Sequence, residues 1–275
     1  MTRRFASRSS GLTLIELLVV LVISGILIAA LYRTFIRQQK SYAVQDQVAD
    51  MQQNSRVAIE RMSREIRMAG YGGDILGVFG NVNGFSNIIT VVENVNSVGT
   101  NDDRITILFA DQVAVLNSNV AKTSTQLSVT NASQLFNTGA KKYLNLNGQN
   151  NYVVSGVGGS TITLSSALTE DHLANEPVYL VKAVTYGLAP NNGKPVLQRD
   201  ENTGLGSQPL ADNIENLQIT CKDGSEGVPA TPADIQRVEI TVSAKTDMSD
   251  PEYKSQGGYR TRVLTSTVKV RNMGS

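Results

Sequence analysis

Gly11-Leu12-Thr13-Leu14-Ile15-Glu16, running straight into the apolar residues 17–31, is the stretch that decides how this chain is built. It sets one carboxylate at the mouth of a run of twenty positions, 12–31, interrupted only by Thr13, Glu16, Ser24 and Gly25. At 1.5 Å per residue that run reaches about 30 Å, the thickness of a hydrocarbon core. Arg3, Arg4 and Arg8 precede it with no acidic residue among them, a flank that keeps the N-terminus on the cytoplasmic side. A carboxylate costs about 2.5–3.5 kcal/mol at the centre of a bilayer helix and less towards its end. Glu16 therefore needs a compensating partner.

Beyond the span the pattern stays helical. Val44, Val48, Met51, Ser55, Ala58, Met62, Ile66 and Ala69 recur at spacings of four and three, one face of a helix. Asp46, Asp50, Arg56, Glu60, Arg61, Arg64, Glu65 and Arg67 are expected on the other faces, with Glu60 and Arg64 at a favourable i,i+4 spacing. No proline occurs before Pro177, so one helix is expected from about Leu12 to about Met68, apolar all round and then amphipathic. Gly70-Tyr71-Gly72-Gly73 ends it.

From there the period is two. Strands are expected at 104–109, 112–116, 126–129, 152–157, 161–164, 178–186, 217–221, 238–244 and 263–270, separated by Asn, Gly, Ser and Asp. The last belongs to a longer strand pattern, 260–270, in which Arg262, Leu264, Ser266, Val268 and Val270 share one side. The Asn-rich stretch 81–151 reads as long connecting loops with strands among them. The fold class is α+β: a long N-terminal helix, transmembrane and then amphipathic, packed on a β-rich head of antiparallel sheet. The divisions are 1–11, a basic leader; 12–68, the helix, with 12–31 in the membrane; and 69–275, the head.

Charge and composition narrow the function. The chain has 25 Lys and Arg against 24 Asp and Glu; beyond Gly11 the balance is 22 against 24, net −2. No bulk attraction to nucleic acid follows from that. Cys221 stands alone, which excludes an intrachain disulfide and a thiolate metal cluster. It sits in a strand pattern and reads as a small buried or edge residue. Trp is absent, which disfavours an aromatic binding platform. His172, the single histidine, is expected in a polar surface loop, and no nucleophile–base pair emerges, so no enzyme, cofactor or metal is expected. Asp223-Gly224-Ser225-Glu226 and Asn101-Asp102-Asp103 can be read as calcium loops, but neither has the ligand spacing of a known one; turn chemistry is the expectation. Arg56, Arg61, Arg64 and Arg67 alternate with acids, the pattern of a solvated or head-packed face. Gly25 either permits close helix packing or is a tolerated glycine in a span.

Residues 11–16 with the basic leader and the span resemble the precursors of type IV pilins. That resemblance implies removal of 1–11 by a prepilin peptidase cutting between Gly11 and Leu12 on the cytoplasmic side, and methylation of the new Leu12 amine. Leu12 replaces the family's usual Phe, and the proline common in the helix of major pilins is missing. Stretch 38–74, with Ser41-Tyr42, Arg56, Met62 and Arg67-Met68-Ala69-Gly70-Tyr71, resembles the PilW minor pilins and the GspJ pseudopilins of type II secretion. So do 210–218 and the ending Val268-Lys269-Val270-Arg271-Asn272. Many PilW proteins carry Cys where this chain has Asp74, so their disulfides do not carry over. The resemblance implies a minor pilin acting with other minor pilins and the major pilin in a tip complex that initiates assembly on an inner-membrane platform. The head would lie in the periplasm and then on the pilus. The alternatives are a GspJ-like pseudopilin and, from another class, a membrane-anchored or secreted β-domain adhesin. A Sec signal peptide fits less well, because its apolar core spans 7–15 residues and Ala29-Ala30-Leu31 is a poor cut site. The cut also supplies the missing partner: a carboxylate at low dielectric gains most from a nearby cation, and the Leu12 amine is one. Glu16 is thus expected to set register during assembly by pairing with the amine of its own or a neighbouring subunit.

Overall fold

The computed structural model describes residues 13–99, 101–250 and 253–273. Helix α1 (Leu14–Met68) runs through 55 residues without a break, about 82 Å at 1.5 Å per residue. Its first described turn begins two residues later than Leu12. Residues 14–31 are exposed on every side. From Val44 the predicted face turns to the head, where Met51, Ala58, Met62, Ile66 and Ala69 are buried. Ser55 is tolerated among them because its hydroxyl donates to the Met51 carbonyl at 2.7 Å. One residue of the expected polar faces departs from the pattern: Glu65 is only 5% exposed.

Among the described residues the head holds two further short α-helices, α2 (Ile75–Phe79) and α3 (Ala132–Leu135), and twelve strands. These are β1 (Ile89–Val92), β2 (Arg104–Val115), β3 (Gln126–Ser128), β4 (Tyr143–Leu146), β5 (Asn150–Gly158), β6 (Thr161–Leu164), β7 (Pro177–Asn191), β8 (Lys194–Asp200), β9 (Gln208–Asp212), β10 (Ile214–Lys222), β11 (Arg237–Lys245) and β12 (Thr261–Lys269). Nine of them form one antiparallel sheet along the path β1-β2-β7-β4-β5-β6-β3, with β8 on β7 and β9 on β8. Strand β7 is the spine of this sheet. Residues 177–186 pair with β2 on one edge, while the other edge takes β4 at 178–180 and β8 at 185–191. The remaining strands form a second antiparallel sheet, β10-β11-β12.

Two runs expected as separate strands, 104–109 and 112–116, are joined in β2, with a register shift between Gln112 and Ala114. Such a bulge bends a strand without ending it. The stretch 81–151 holds β1 to β4 among its connecting loops. Its asparagines have a specific use: across the described residues nine Asn take positive φ, against three other non-glycine residues. Asn enters the left-handed region at low cost, so these positions make tight corners between elements, Asn131 at the start of α3 among them.

Three clusters fill the interior. The first joins Met51, Ala58, Met62 and Ile66 of α1 to Ile105, Ile107 and Phe109 of β2 and to Val238, Ile240 and Val242 of β11. The second is a distal lobe built on Leu127, Phe136, Leu144, Tyr152, Ile162 and Val178. The third covers the opposite face of β2, with Ile75 and Val82 over Leu108 and Ala110. Strand β2 is therefore apolar on both faces, whereas β11 alternates.

Candidate processing and assembly site

Gly11 and Leu12 lie outside the described residues. The site's geometry begins at Thr13, the N-cap of α1. Its hydroxyl accepts from the Glu16 backbone N–H at 3.3 Å, and Glu16 Oε2 accepts from the Thr13 N–H and Oγ1, each at 2.8 Å. This reciprocal arrangement is a capping box. Its signature, Thr-x-x-Glu ahead of an apolar run, is readable in Thr13-Leu14-Ile15-Glu16. Glu16 is exposed, yet its carboxylate folds back to the level of Thr13, one residue from Leu12.

The far end of α1 is docked as carefully as its start is capped. Gly70 N–H donates to Leu108 O at 2.9 Å, and Ala110 N–H donates to Tyr71 O at 2.7 Å. The Gly72 carbonyl accepts from the side chains of Asn145 and Asn151 at 2.9 and 2.8 Å. Gly73, at φ +65°, leaves no room for a side chain: a Cβ there would lie 2.4 Å from Gln149 O. Gly70-Tyr71-Gly72-Gly73 therefore anchors the helix end to β2 and the β4–β5 hairpin as well as stopping the helix.

Between these ends a buried charged cluster ties α1 to the sheet. Glu65 accepts from Tyr186 Oη at 2.7 Å and pairs with Arg199 at 3.1 Å and Arg61 at 2.8 Å. Arg199 also pairs with Glu201 at 2.9 Å; Glu201 meets Lys182 at 3.2 Å, and Lys182 meets Asp111 at 2.6 Å. Burial and the Glu65 charge push the Tyr186 phenol well above its usual range. Burial works against ionisation of Glu201, but Arg199 and Lys182 outweigh it and hold its carboxyl below the usual range.

The remaining candidates fall into place individually. His172 is buried, not on a surface loop: residue 172 bridges to Val120, and its Nδ1 lies 2.7 Å from Glu176. Its Nε2 has no hydrogen-bond partner among the described residues. Cys221 is half-buried on β10, at the edge of the small sheet, and desolvation aided by Glu93 pushes its thiol up to about 11. Asp223 accepts from Ser225 N–H and Oγ and from Gly227 N–H, which is turn chemistry. Asp102 is likewise engaged by Ser97, and Asp103 by Asn94 and Ile219. At Gly25 the helix is regular and a Cβ would meet nothing within 4 Å.

A family model, the prokaryotic N-terminal methylation motif, matches residues 6–32. The match spans the leader end, Gly11, Leu12, the capping box and the apolar half of α1. The chain carries a prepilin-type signal. That signal implies processing by a prepilin peptidase and association with a membrane. No curated protein and no solved structure matches the chain.

Proposed function

We propose that this protein is a minor pilin of the PilW type. In this reading prepilin peptidase cuts between Gly11 and Leu12, the Leu12 amine is methylated, and the mature subunit joins other minor pilins in a tip complex that starts pilus assembly. The observation that carries it is the prepilin-type signal set directly on a helix whose residues 14–31 are wholly exposed while residues 51–69 are locked to a head. Such a helix has two environments available to its apolar half, a bilayer and a bundle of like helices, and moving between them exchanges one apolar surround for another.

Glu16 gives that exchange a direction. The capping box presents its carboxylate at the helix start, where the amine released by the cut would lie. In a dry bundle an unpaired carboxylate is costly, so entry in register with an amine is favoured over entry out of register. The head serves as an interaction module, not as an enzyme: the Cys221 thiol is held protonated and His172 is engaged by Glu176.

Glu16→Ala tests this role. The variant should still insert and be cut after Gly11, but its amount in sheared pilus fractions should fall by about tenfold, the equivalent of roughly 1.4 kcal/mol. Wild-type incorporation of Glu16→Ala would remove Glu16 from the assembly step.

A further inference from the structure

The face of α1 that packs on the head does not end where the head ends. Continued towards the membrane at spacings of three and four, Met51, Val48 and Val44 lead to Lys40, Arg37 and Arg33. Asp46 lies midway between Val44 and Val48, which puts it on the opposite side. Three cations therefore sit on the side that faces the underside of the head. Arg37, Lys40, Ser41, Val44 and Val48 line a cleft of about 580 Å³, closed from the head by Asp250 and Arg260. Arg260 is already paired with Asp250 at 2.7 Å and stacked on Tyr253 at 4.5 Å. Among the described residues that line the cleft, Arg37, Lys40 and Arg260 stand against the single carboxylate of Asp250, so its described lining is net positive.

Its height along the helix identifies the ligand. If the span ends near Leu31, Arg33 and Arg37 lie within about 10 Å of the hydrocarbon edge, in the headgroup layer. Tyr32, Phe35 and Tyr42 interleave with them at 65%, 54% and 70% exposure. Aromatic and basic residues alternating at that depth mark a membrane interface. Cations on the head side also run against the usual bias towards the cytoplasmic flank, so their placement calls for a purpose of its own.

We propose that the cleft between residues 37–48 of α1 and the side chains of Asp250 and Arg260 on the head binds the headgroup of an anionic phospholipid, seating the head on the bilayer. The chemistry recognised is a phosphate-bearing anion held by Arg37 and Lys40, with the lipid tail running down the exposed apolar half of α1. This inference rests on the membrane-anchored reading of residues 14–31.

Calorimetric titration of the detergent-solubilised full chain tests it. Dioctanoyl phosphatidylglycerol should bind saturably and dioctanoyl phosphatidylcholine should not. Arg37→Gln should weaken binding by roughly fivefold and Arg37→Gln with Lys40→Gln by roughly twentyfold or more, at about one cation's worth of attraction each. Asp46→Asn should leave binding unchanged. Equal binding of both lipids, or full binding by the double variant, overturns the proposal. Inorganic phosphate binding as tightly as the lipid assigns the cleft to free phosphate and overturns the lipid. If the double variant binds lipid normally but is lost from filaments, the stripe serves a neighbouring subunit instead. Carbonate extraction of wild-type membranes separates these results from a failure of the anchored reading: release of the protein there removes the anchor itself.

Discussion

Glu16 and Glu65 sit on one helix, and their fates show what decides a carboxylate's role. Glu16 stays exposed and is satisfied locally, by the turn it caps. Glu65 is buried and satisfied at long range, by Tyr186 and Arg199, which lie 121 and 134 residues away in sequence. Removing one partner of a buried pair leaves the other uncompensated and typically costs 3–5 kcal/mol. Glu65→Ala should therefore lower the melting temperature by roughly 6–12 °C for a head of this size, read by circular dichroism on the full chain in detergent. A variant that melts with the wild type would show that the cluster contributes nothing to holding α1 on the sheet. The capping box was legible in four consecutive residues. The Glu65 cluster was not, because Glu65 sits at the margin of the apolar stripe and nothing near it in sequence names Arg199.

At the scale of elements, α1 is one helix doing two jobs, and only packing separates them. Its amphipathic face was readable residue by residue, since a period of 3.6 survives any tertiary context that buries one side. The two jobs predict two exchange behaviours. In detergent, backbone amides of residues 51–68 should exchange at least about a hundredfold more slowly than those of residues 36–46, which have no head to open from. Equal rates along both stretches would mean that the helix is not docked as described. The strands divide in the same way. Thr161–Leu164 and Arg237–Lys245 alternate and were plain. Strands β8 and β9 carry Pro195 and Pro209, and β4 buries Asn145, so their local patterns argue against a strand. They form because β7 is long enough to accept β4 and β8 in turn along one edge and β8 then accepts β9, which is a property of the whole sheet.

For the whole molecule, the layout is a greasy shaft, a basic neck, a proximal core on the shaft and a distal lobe carried outward by β2 and β7. The class of fold was legible, because the helix and sheet halves differ in period. The division of the interior into three clusters was not, because long-range strand pairing leaves no local trace. The processing signal was the most legible feature of all, being short and contiguous, and the methylation-motif match covers the same residues. Everything proposed for the protein depends on that signal being used: without the cut there is no amine for Glu16, and without retention of residues 12–31 there is no shaft. The direct measurement is the intact mass of the protein purified from membranes of cells that contain a prepilin peptidase. A chain beginning at Leu12 and heavier by one methyl group is the predicted result. A chain cut near residue 30, or one that keeps residues 1–11, would contradict it.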